Sequence, residues 1–174
     1  QAAVNVSTNQ TTTQNFNLTS VAVYNFDWTS EPLSIPDRDT VYTELEVNDN
    51  YAINSVALQI QNLTHSYIGD VSIWLESPWG ERVLISERNG GSGDNMINCQ
   101  VDDFAGQSIV NGSAPFTNHY LPEESFSAYT GDPSRGTWKL VLYDAANQDQ
   151  GTLVDWALRL TGVEIPEGYV QGQV

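Results

Sequence analysis

The chain is poor in cysteine, in basic residues and in long apolar runs. It carries one cysteine in 174 residues and only six basic residues, with Lys139 its single lysine. One thiol excludes an internal disulfide, so the fold must rest on packing, with metal the other available staple. Cys99 reads as a small buried hydrophobe, because free cysteine is among the most buried residue types. Against six bases stand 22 acids, giving a formal charge of −16. That balance makes phosphate backbones and anionic membranes poor partners, so neither nucleic acid nor membrane is expected. No apolar stretch approaches the length of a membrane span. The first residues also lack the basic and apolar regions of a signal peptide, so an export signal would stand upstream or have been removed.

Catalytic signatures are missing as well. A serine hydrolase needs a nucleophile, a base within hydrogen-bond reach and a group that orients the base. His65 and His119 are the only imidazoles, and no serine lies in a Gly-x-Ser-x-Gly elbow. The acids are numerous enough to supply a glycosidase pair, but in a β-rich extracellular domain they read as a solvated face or as calcium ligands. The chain is therefore expected to hold no catalytic residue and no organic cofactor.

What is present is alternation. Val41, Leu45 and Val47 alternate with Tyr42, Glu44 and Glu46, and Val56, Leu58 and Ile60 with Ala57, Gln59 and Gln61. This is the pattern of half-buried strands. Val71, Ile73 and Leu75 repeat it. Ser77-Pro78-Trp79-Gly80 then turns the chain into Arg82-Val83-Leu84-Ile85, since proline presets φ and glycine tolerates a positive one. Trp138, Leu140 and Leu142 share one strand face, as do Trp156, Leu158 and Leu160, with a polar connection at Ala145–Gly151. No window shows a capped helical period. The whole predicts an all-β sandwich, mainly antiparallel. Residues 1–29 read as a polar linker or arm with one edge strand near Val21–Phe26, and 164–174 as a tail. The triplets at Asn5, Asn9, Asn17, Asn62 and Asn111 fit a Ser/Thr/Asn-rich composition without glycan.

Two acid-rich loops, Asp94-Asn95 to Asp102-Asp103 and Asp144 to Asp149, offer the oxygens that calcium prefers. Asp94, Asp102, Asp103, Asp144 and Asp149 are the candidate ligands, although the spacing is not that of an EF-hand. The competing reading is turn-forming Asp and Asn bonded to their own backbone. Trp74, on the face opposite Ile73, and Trp79, in the turn, are candidate exposed binding aromatics.

Two segments about sixty residues apart carry a family signature. One runs from His65 through Gly69-Asp70 to Ser77-Pro78-Trp79-Gly80. The other comprises Gly136-Thr137-Trp138 and Gly151-Thr152-Leu153. With the opening Ile35-Pro36-Asp37 and the middle stretch Val101-Asp102-Asp103-Phe104-Ala105, residues 30–163 resemble the P domain (P/Homo B). That module follows the subtilisin-like catalytic domain in proprotein convertases and in many secreted bacterial proteases. Asn118 stands where the family usually has glycine, a substitution that positive φ tolerates. Ile68-Gly69-Asp70 replaces the Arg-Gly-Asp of animal convertases and removes any integrin-type reading. The resemblance implies a jelly-roll-like topology, extracellular localisation, a monomer, and a non-catalytic C-terminal role supporting the folding and stability of an upstream protease domain. The alternative is a targeting module that binds an insoluble protein or polysaccharide.

Overall fold

Alternating residues become strands wherever one face has a core to meet. The computed structural model describes residues 21–166; the polar leader at Gln1–Thr19 and the chain beyond Pro166 lie outside the described residues. Ten strands follow in order: β1 (Ala22–Asp27), β2 (Leu33–Ile35), β3 (Thr40–Val47), β4 (Tyr51–His65), β5 (Val71–Glu76), β6 (Arg82–Glu87), β7 (Met96–Asp102), β8 (His119–Tyr120), β9 (Gly136–Asp144) and β10 (Gly151–Glu164). Three short 3₁₀ turns, at Ile68–Asp70, Ile109–Asn111 and Phe126–Tyr129, interrupt the connections.

Six strands form one sheet, in the order β1-β10-β4-β7-β8 with β2 also on β10; the other four form a second, β3-β9-β5-β6. Every pairing is antiparallel except β7 with β8. The fold is all-β, with one mixed sheet and one antiparallel sheet. Val71, Ile73 and Leu75 of β5, Leu58 and Ile60 of β4, and Trp138, Leu140 and Trp156 meet in one buried cluster. Their neighbours in the chain point to the opposite face, as the period-two pattern requires.

The edge strand expected near Val21–Phe26 is present as β1, paired with β10 from Ala22↔Gly162 to Asp27↔Ala157. Trp28 follows it into the core at 7 % exposure and donates its amide to Trp156 O at 3.0 Å. Two signature segments meet at both ends of the β5–β9 pair. At one end a Cβ on Gly136, where φ is +129°, would lie 2.7 Å from Pro78 Cβ, and the Trp79 ring stands 5.9 Å from Trp138. At the other, a Cβ on Gly151 would lie 2.4 Å from His65 Cδ2 and 2.5 Å from Thr64 O. Glycine is needed at both places because its neighbours occupy the side-chain space.

Candidate functional site: two sheet faces and two histidine–carboxylate pairs

His65 ends β4 and Asp144 ends β9, so their contact ties one sheet to the other. His65 Nε2 lies 3.1 Å from Asp144 Oδ2, both side chains at 0–1 % exposure. Tyr67 N–H donates to His65 Nδ1 at 3.2 Å. That amide can only donate, so Nδ1 accepts and Nε2 carries the proton given to Asp144. Asp144 Oδ1 accepts from Ala146 N–H at 2.9 Å. The ring is thus neutral, and Asp144 holds one buried negative charge satisfied from two sides.

A histidine in this state is no general base. Both nitrogens are committed, one to a backbone amide and one to a carboxylate, leaving none to face a nucleophile. Neighbouring Ser66 donates its Oγ proton to Asp149 Oδ1 at 2.8 Å instead. The sulfur chemistry is equally closed. Cys99 is fully buried on β7, and burial pushes its thiol up to about 12 from 9.0, far from the thiolate that reacts.

The second pair is open to solvent. His119 Nε2 sits 2.7 Å from Asp102 Oδ1, with the imidazole 44 % exposed and the carboxylate 7 %. Asp102 also accepts from Gln100 Nε2 at 2.7 Å and from Phe104 N–H at 2.8 Å. Burial pushes this carboxyl up. The hydrogen bonds from Gln100 and Phe104, together with His119, outweigh that effect and hold it below the usual aspartate value.

The five candidate calcium ligands are dispersed. Asp102 and Asp144 are buried against their histidines. Asp103 accepts from Phe126 N–H at 3.1 Å and Ser125 Oγ at 3.0 Å, Asp149 from Ser66, and Asp94 is exposed. Among the described residues no group of three or more His, Cys, Asp or Glu side chains is gathered as metal ligands.

The outward face of the four-stranded sheet reads across in register. One row is Tyr42–Val141–Trp74–Leu84, and the next is Glu44–Lys139–Glu76–Arg82. Tyr42 is 54 % exposed while Val141 is 3 % exposed, so the flanking side chains cover the valine. Lys139 Nζ lies 3.6 Å from Glu44 and 3.9 Å from Glu76, and 5.0 Å from the Tyr42 ring centroid. The β6 edge is closed: Glu124 N–H donates to Leu84 O at 3.0 Å and its carboxylate accepts from Leu84 N–H at 2.8 Å. Trp74 therefore has a half-buried place in an apolar row. Trp79 is 41 % exposed but packs edge-on against Tyr129 and Trp138.

The outward face of the six-stranded sheet differs. One row is Asp27–Ala157–Gln59–Gln100–His119, and the next is Asn25–Arg159–Ala57–Asp102. The two alanines leave space, and two adjoining depressions of about 220 and 250 Å³ open above them. This amide-lined face was not singled out from sequence. Its signal was the outward register of Ala57, Gln59 and Gln61, which reads first as ordinary solvent exposure.

The family model described as proprotein convertase P-domain matches residues 53–160, well over half of the chain. The serine protease of Aeromonas sobria has a similar fold, with 19 % sequence identity and a TM-score of 0.54 over 86 % of this chain. The same protease in complex with a chaperone gives 20 % identity and 0.55 over 83 %. The chain spans only 27–28 % of those longer proteins. No curated protein matches. The chain belongs to the proprotein convertase P-domain family.

Proposed function

We propose that this domain is a non-catalytic accessory module of a secreted, bacterial, subtilisin-like serine protease, seated against the catalytic domain of the same polypeptide and supporting its folding and stability. One observation carries the reading. This is a P-domain-family chain in which both ring nitrogens of His65 are committed, His119 pairs with Asp102 and Gln100 rather than with a hydroxyl or thiol, and Cys99 is buried, so no nucleophile–base pair is assembled among the described residues. The seat we assign is the outward face of the four-stranded sheet. Its Tyr42–Val141–Trp74–Leu84 row is apolar, and the Glu44–Lys139–Glu76–Arg82 row beside it alternates in charge. An apolar centre with a polar margin is the composition of an interface core and rim. A module that binds only the folded catalytic domain stabilises it by mass action.

The test is made in the polypeptide that carries this chain. Deleting the domain, or introducing Tyr42→Glu with Trp74→Glu, should lower the yield of active protease and its unfolding temperature. Unchanged yield and temperature in both would refute the docking role.

Three finer readings accompany it. The domain proper runs over 30–163, with 1–29 as an arm that lays β1 on the sheet edge and 164–174 as a tail. A jelly-roll order is supported by repeated crossing between sheets, since β3, β5 and β9 lie in one and β4, β7 and β10 in the other. Calcium is supported by carboxylate supply alone. Asp102 and Asp144 are buried against their histidines, so the less buried Asp94, Asp103 and Asp149 are the oxygens best placed to take part. A rise in unfolding temperature with calcium over EGTA, lost in the Asp103→Asn and Asp149→Asn variants, tests that reading.

A further inference from the structure

We infer that the paired depressions on the outward face of the six-stranded sheet bind a neutral saccharide chain. The observations are independent of the docking face, which lies on the other sheet.

The first is charge. In a chain of net −16, only Asp27 and Asp102 among the acids line the two depressions, with Arg159 as the one base. Arg159 is already partnered, its Nε donating to Asn25 Oδ1 at 2.9 Å. So sparsely charged a patch has no carboxylate cluster to hold a cation, and the acidity of the whole chain works against an anionic polymer.

The second is the lining. Gln59, Gln61 and Gln100 present planar amides, each with donors and an acceptor, which suits the alternating hydroxyls of a sugar. Asp102 fixes the Gln100 amide at 2.7 Å beside His119, so this part of the surface is held in place before a ligand arrives. Gln61 Oε1 is buried with no hydrogen-bond partner, and an acceptor left so calls for an incoming donor.

The third is the apolar margin. Phe104 is 76 % exposed and Val23 58 %, and both line the second depression. A large exposed ring beside polar side chains suits a pyranose, which has a C–H face and a hydroxyl rim. A peptide strand fits less well. β4 is paired on both edges, with β10 and β7, so the centre of this face offers no free backbone for strand addition.

The experiment titrates the ¹⁵N-labelled 174-residue chain with cellohexaose and chitohexaose. An oligogalacturonate and a Gly-Pro-rich collagen-type peptide serve as the charged and peptide probes. The expected result is that one neutral hexasaccharide perturbs the side-chain amides of Gln59, Gln61 and Gln100 with a dissociation constant on the order of 1 mM. The Gln59→Ala/Gln100→Ala variant should lose this response with its unfolding temperature unchanged. Phe104→Ala should weaken it about tenfold, and Trp74→Ala should leave it intact. Silence of this face toward both neutral probes overturns the inference. So does binding of the peptide or oligogalacturonate there instead, or full binding by the folded double variant. Should the double variant unfold, Gln59→Glu and Phe104→Ala singly give the same decision.

Discussion

His65→Ala and His119→Ala remove the same side chain from the same kind of partner, and the structure predicts very different costs. Without the His65 imidazole, the Asp144 carboxylate keeps only the Ala146 amide and stays fully buried, while Tyr67 N–H loses its acceptor. Breaking a buried pair so that a carboxylate is left short of a charge-assisted hydrogen bond costs about 3–5 kcal/mol. In a domain of this size each kcal/mol is worth about 2–4 °C, so the midpoint should fall by roughly 6–20 °C. His119 is 44 % exposed. Water takes its place at Asp102, and the loss should stay within about 1 kcal/mol. Thermal unfolding followed by tryptophan fluorescence, with urea titration at pH 7 for the free energies, reads both variants. Equal shifts would refute the reasoning, because they would mean that burial of the carboxylate does not set the cost. Asp144→Asn in the otherwise wild-type chain should also unfold below the wild-type midpoint. One amide cannot present oxygen to both His65 Nε2–H and Ala146 N–H in the positions the carboxylate serves.

Three further outcomes are expected. Cys99, raised to about 12 by burial, should not react with a thiol reagent at pH 8 in the native protein and should react fully once unfolded; measurable native labelling at a rate above that of unfolding would contradict it. Gly151→Ala sets a Cβ 2.5 Å from Thr64 O, a backbone atom that cannot swing aside, and should cost about 1–3 kcal/mol, read as a lowered urea midpoint with unchanged slope. Asp102 is held below the ordinary aspartate value, so its contribution is complete above that ordinary value and fades as pH falls through the lower value of the folded state. In His119→Ala the Asp102 carboxyl carbon should titrate at higher pH by NMR, and an unchanged titration would remove His119 as a cause.

Most of the strand pattern was legible because most strands bury chiefly one side. Ile73 against Trp74, or Leu58 against Gln59, announces a face without reference to its partner. The arm was harder. Val21–Phe26 was readable as an edge strand, but Trp28 sits among Thr and Ser, and nothing local says that it enters the core. Its burial is decided by pairing with β10, over a hundred residues away. The signature glycines were visible as residues, yet their reason lay in three dimensions: Gly136 clears Pro78, and Gly151 clears His65. The calcium candidates show the same limit from the other side. Asp144 and Asp149 are near in sequence, but one turns inward to His65 and the other accepts from Ser66.

The two outward faces divide the chain's chemistry in a way that composition conceals. On the four-stranded sheet, the only lysine stands between Glu44 and Glu76, and Arg82 pairs with Glu76, so scarce positive charge is spent on a patterned row beside an apolar one. A row of alternating sign adds little stability at an exposed surface. Its value lies in register, because a partner of the wrong charge pattern meets like charges. On the six-stranded sheet, amides replace charges around the two alanines, and neutral side chains cannot steer or reject a partner by sign. They can only match hydrogen bonds at contact. On the two proposals, one face chooses a single folded neighbour and the other accepts a repeating, uncharged one. The variants separate them. Tyr42→Glu with Trp74→Glu should disturb protease stability and leave saccharide binding alone, while Gln59→Ala with Gln100→Ala should do the reverse. A variant of either face that impaired both would show that the sheets are coupled through the core, and the division would fail.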